Sequence, residues 1–81
     1  MRISQECVIN SQGFLFNTVS GESFSLNSIG LDIVYRLKTD CSEQQLLETL
    51  LSEYETDEVT LRSDLSDFLL LLKRKGLLTN G

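Results

Sequence analysis

The residues best suited to proton or nucleophile chemistry in this chain are Cys7, Cys41 and a scatter of carboxylates that includes Asp64 and Asp67. A catalytic nucleophile needs a base positioned beside it, and the chain contains no histidine. Asp64 and Asp67 lie one helical turn apart on a face that reads as solvated. The serines fall in turn and cap contexts. Neither cysteine has a histidine or second cysteine close by to build a metal site, and two are too few for a disulfide scaffold. Both read as reduced residues in or beside a core. Gly13, Gly21 and Gly30 are widely spaced with no Lys-Ser/Thr after them, so there is no phosphate loop. No catalytic set, metal site or cofactor is expected. The chemistry left is that of backbone groups at a sheet edge, and the stretch Ser23 to Leu37 supplies one.

That stretch begins as a strand and turns into a helix with almost no loop. Phe24 and Leu26 alternate with Ser23 and Ser25, the period of a half-buried strand. Asn27 or Ser28 then caps a helix that carries Ile29, Leu31, Ile33, Val34, Tyr35 and Leu37. These cover too much of the circumference for a one-sided helix, so the helix should be central and mostly buried. Gly30 costs about 1 kcal/mol inside a helix relative to Ala, which predicts a close approach by another backbone.

Upstream, residues 6 to 10 and 14 to 18 read as two more strands. The turn Ser11-Gln12-Gly13 joins them, and both Phe14 and Phe16 fall on one face. Ser20-Gly21 reads as a two-residue hairpin turn leading into a third strand, Glu22 to Leu26. Short connections favour a meander of neighbours. Downstream, Ser42 and Gln45 form a capping box for a second helix with Leu46, Leu47, Leu50, Leu51 and Tyr54 on its stripe. Thr56 or Asp57 caps a third helix carrying Val59, Leu61, Leu65, Phe68, Leu69 and Leu72. Lys73, Arg74 and Lys75 suit its C-terminal dipole end. Gly76 suits a Schellman turn in which Leu77 packs back on Leu72. The expected fold is α+β, a three-stranded antiparallel sheet followed by three helices.

The 81 residues suit one small domain spanning 1–81. It must use its core efficiently, since a chain this short buries only about 60% of its unfolded surface. Hydrophobic residues at 41% and charged ones at 23% argue against disorder. Twelve acidic against seven basic residues leave a net charge of −5. That is the wrong sign for gripping nucleic-acid phosphates or an anionic membrane. With no apolar signal region and no spanning stretch, a cytoplasmic location is expected by elimination.

Ser23-Phe24-Ser25-Leu26-Asn27-Ser28-Ile29-Gly30 resembles the LN-x-x-G signature of the PqqD-like family. Tyr54, Asp64-Leu65, Phe68-Leu69, Leu72 and Gly76-Leu77-Leu78 are similar to its C-terminal half. The resemblance runs from Gln5 to Leu78. Asp40-Cys41 departs from the glycine that often precedes the second helix, and Glu43 stands where an apolar residue is common. The resemblance implies a winged-helix-like RiPP recognition element, a non-catalytic peptide chaperone. Such a protein binds the leader of a ribosomally made precursor and presents its core peptide to a modifying enzyme, such as a radical enzyme, a cyclase or a leader peptidase. It implies that the leader adds as a strand beside residues 22–27, against the third helix.

The residues support such a groove on their own. The third strand has a single charge at its start, whereas edges are normally protected. The first strand is also an edge of the meander. The third is favoured because the third helix has leucines to spare: Leu71 lies off the core centre, and Leu70 nearly opposite it, where a self-contact or enzyme contact would use it. The expected peptide-binding residues are Glu22, Ser23, Phe24, Ser25, Leu26, Leu61, Asp64, Leu65, Phe68, Leu71 and Lys75. Arg62, Lys73 and Lys75 would attract acidic leader residues at the rim. The chain is expected to be a monomer or weak dimer. The alternatives are a winged-helix nucleic-acid binder and a self-associating regulatory domain.

Overall fold

The computed structural model describes residues 1–79. Five strands and three helices follow in the order β1 (Arg2–Ile3), β2 (Cys7–Ile9), β3 (Phe14–Asn17), β4 (Ser23–Ser25), α1 (Ser28–Arg36), α2 (Glu43–Glu53), α3 (Glu58–Arg74) and β5 (Leu78–Thr79). β2, β3 and β4 form the expected antiparallel meander, with β2 and β4 at its edges. β1 and β5 make a second, two-stranded sheet that joins the two ends of the described chain. At two residues each, these strands are too short to show a period of two, and no sequence signal announced them.

Phe14 and Phe16 do share a face, and it is the outer one, while Leu15 between them is fully buried. The β3–β4 hairpin is longer than the Ser20-Gly21 signal implied. Asn17 pairs with Glu22 across a four-residue loop in which the Asn17 side chain accepts from the N–H groups of Val19 and Ser20. An asparagine that bonds its own downstream backbone builds a wider turn than two central residues would.

Asn27 caps α1 by accepting from the N–H of Gly30 at 2.8 Å. The helix is buried on most sides, with Tyr35 its one exposed apolar residue. Gly30 does mark a close approach, but by a side chain: an added Cβ would meet the Phe68 ring at 3.6 Å and the Asn27 Oδ1 at 3.0 Å. The Ser42–Gln45 capping box opens α2, and Asp57 rather than Thr56 caps α3. Val59 turns outward and is exposed, whereas Leu61, Leu65, Leu69 and Leu72 are buried. α3 ends in the expected Schellman turn: Leu77 donates to the Leu72 carbonyl and Gly76, at φ +72°, to that of Lys73. The core gathers Leu15, Val34, Leu37, Leu46, Leu47, Leu50, Leu65 and Leu77, all fully buried. Asp32, Arg36, Glu53 and Tyr54 lock α1 to α2. Arg36 donates to Asp32 at 2.9 Å and to Glu53, and the Tyr54 hydroxyl donates to Asp32 at 2.8 Å.

Candidate functional site

The two bonds flanking β4 establish which of its backbone groups are free. Asn17 donates to the Glu22 carbonyl and Leu26 to that of Gly13. In an antiparallel ladder, bonded and non-bonded pairs alternate. Given the register Leu15↔Phe24, with Phe14↔Ser25 and Phe16↔Ser23 on either side, residues 22, 24 and 26 turn their backbone groups to β3. Ser23 and Ser25 turn their N–H and C=O outward. The result is four unpaired backbone groups in a row, with no Pro, bulge or charge among them.

α3 lies along this edge and leaves a groove. Its cavity of about 320 Å³ is lined by Leu15, Ser23, Phe24, Ser25, Leu26, Phe68, Leu71, Leu72, Lys75 and Leu77. Leu71 is 47% exposed here, a leucine left to solvent in an apolar trough. At the rim, Lys75 Nζ stands 3.8 Å from a Glu22 carboxylate oxygen and 5.8 Å from the centre of the Phe24 ring. Both partners are about half exposed, so the pair adds little stability and can rearrange around a ligand.

Phe68 also borders a second hollow, of about 240 Å³, whose walls include Asn27, Gly30, Thr56, Leu61, Asp64 and Leu65. The eleven expected peptide-binding residues therefore divide. Ser23, Phe24, Ser25, Leu26, Phe68, Leu71 and Lys75 converge on the groove, with Glu22 at its rim. Leu61, Asp64 and Leu65 belong to the adjoining hollow, and Leu61 and Leu65 are buried core residues as well. Of the three expected rim cations only Lys75 is in place. Arg62 pairs with Glu58 at 3.5 Å, and Lys73 lines a separate hollow with Leu70, Glu43 and Ser66. α3 carries these residues on different flanks, and a side-chain count along the helix does not resolve which flank meets β4. Leu15, Leu72 and Leu77 line the groove but were not expected there; alternation and the Schellman pattern mark them only as core.

Both cysteines are free and half-buried. Burial, with Glu6 adding to it, pushes the Cys7 thiol above its ordinary range, and burial does the same to Cys41. Among the described residues no cluster of His, Cys, Asp or Glu could hold a metal ion.

Residues 12–78 match the family described as Coenzyme PQQ synthesis protein D (PqqD). The chain belongs to the PqqD family. No curated protein matches its sequence. Two solved structures are similar to this PqqD-family chain. One is TbiB1 in complex with the TbiA(beta) leader peptide, at 28% identity and a TM-score of 0.86, covering 100% of this chain and 98% of that one. The other is a lasso peptide synthetase B1 complexed with the leader peptide, at 29% identity and a TM-score of 0.77, covering 94% and 93%. The sheet and three helices expected from the sequence are thus those of a PqqD-type fold, and the resemblance read from the LN-x-x-G stretch holds.

Proposed function

We propose that this PqqD-family protein is a non-catalytic leader-recognition unit extending over residues 1–81. It takes up the leader of a ribosomally made precursor as an added strand beside residues 22–27 and against α3, and holds the core peptide for a modifying enzyme or leader peptidase. The observation that carries this reading is the juxtaposition of the outward backbone groups of Ser23 and Ser25 with the apolar trough under Leu71 and Phe68. Peptide addition to a sheet edge uses these two things together: main-chain bonds for affinity and pockets for alternate side chains for specificity. That both similar structures are leader-peptide complexes supports the same reading.

Magnitudes agree. Four backbone hydrogen bonds at about 0.5–1.5 kcal/mol each fall short of all but the low end of an association cost of about 4–15 kcal/mol. One to three apolar leader side chains, at about 1.5–3 kcal/mol apiece, close the gap, and the groove is apolar enough to receive them. The nucleic-acid alternative fares worse. The only cation in residues 58–72 is Arg62, and it is paired with Glu58. Nothing favours the self-associating alternative over a peptide at the same edge.

Calorimetric titration with synthetic precursor leader peptides, the TbiA(beta) leader among them, tests the proposal. Saturable one-to-one binding that is lost in a Leu71→Glu protein is expected. Absence of binding to the leader, with a stable dimer in light scattering, would overturn it.

A further inference from the structure

The outer face of the β2–β3–β4 sheet carries apolar side chains too. Val8, Phe14 and Phe16 point outward from it, at 52%, 38% and 41% exposure. They stand in two cross-strand rows. In one, Val8 pairs with Phe16 and Phe16 with Ser23; in the other, Phe14 pairs with Ser25. No charged side chain interrupts either row, in a chain that is 23% charged. Each row ends at β4 on a serine, and these are the two serines whose backbone groups face outward.

A strand paired to Ser23 and Ser25 places the side chains directly opposite them on the outer face, because paired residues share a face. Its intervening side chains fall on the Phe24 side, into the groove. The added strand and β3 lie two strand spacings apart, about 10 Å. The small serines between leave open space that two long apolar side chains reach across. Resting on the strand-addition reading, we propose that the outer face is a second specificity row for the same peptide. Aromatic or large aliphatic side chains at its outward positions close over Ser23 and Ser25 onto Phe16 and Phe14, with Val8 extending the Phe16 row. The ligand class is therefore a strand that is apolar on both faces over its paired stretch. One face is read by Phe68 and Leu71, the other by Phe14 and Phe16.

Selection from a display library of short random peptides tests this, using the full chain, a Phe14→Thr/Phe16→Thr protein and a Leu71→Glu protein. Threonine keeps strand propensity at both substituted sites, and Val8→Thr is a milder second variant; circular dichroism checks the fold of each. The parent protein should enrich apolar residues at two interleaved alternating sets. The Phe14→Thr/Phe16→Thr protein should lose one set and keep the other, and should bind a parent-selected peptide about fivefold more weakly. Val8→Thr should relax the outward position opposite Ser23 more than the one opposite Ser25. Enrichment of a single alternating set by the parent, or two sets unchanged by the phenylalanine substitutions, would overturn the second row. So would a change confined to self-association, which would assign the face to another copy of the chain. Enrichment indifferent to Leu71→Glu would instead overturn strand addition in the groove, which separates the two failures.

Discussion

Leu71 is the side chain on which groove and core can be told apart. It is half exposed and lines the trough beside β4, while its neighbour Leu72 is almost fully buried. A Leu71→Glu substitution should leave the thermal midpoint close to that of the parent, as exposed positions usually do. It should weaken leader binding at least about tenfold, the equivalent of one apolar contact of roughly 1.5 kcal/mol. Titration and melting of the two proteins check this; a matching loss of stability would mean that Leu71 is core instead. Helical spacing showed that Leu71 was surplus to the core. It put Lys73 and Lys75 on different sides of α3, about 200° apart, but did not show which of those sides faces β4, because that depends on where β4 crosses the helix. At Phe14, Leu15 and Phe16, alternation distinguished two faces but not which was inner. Leu15 faces inward because that face packs against the helical core.

At the scale of elements, caps and stops were the most legible features. Asn27, Ser42, Asp57 and Gly76 act where their local chemistry requires. Asp57 also links α3 to pH. The backbone N–H of Thr60, and then its hydroxyl, hold the Asp57 carboxyl below its ordinary range. A depressed carboxylate contributes stability that is present above its unfolded pKa of about 3.9. That contribution is lost as pH falls through the lower folded value. Asn caps as well as Asp but does not titrate. An Asp57→Asn protein should therefore match the parent near neutrality and show a shallower loss of helicity on acidification, followed by circular dichroism. An unchanged acid limb would mean that other carboxylates dominate it. What stayed illegible were β1 and β5, which exist only because they find each other across the fold, and the width of the β3–β4 turn, which the Asn17 side chain determines.

The whole molecule depends on that hidden pairing. Ile3 is buried, its N–H bonds the Leu37 carbonyl at 2.8 Å, and the N–H of Ser4 bonds the Leu77 carbonyl at 2.8 Å. The β1–β5 sheet thus supports the ends of both α1 and α3, the helix that walls the groove. Ile3→Ala should cost about 2–5 kcal/mol in urea unfolding and weaken leader binding only through the fraction unfolded. A binding loss in the fully folded variant would mean that the sheet shapes the groove directly.

Amide hydrogen exchange read residue by residue across β4, with and without the leader, tests strand addition most directly. The ladder predicts that the N–H groups of Ser23 and Ser25, which face away from β3, gain protection on binding, while those of Phe24 and Leu26, already turned to β3, change little. Protection confined to β2 or to the helices, with Ser23 and Ser25 exchanging as fast as before, would contradict it.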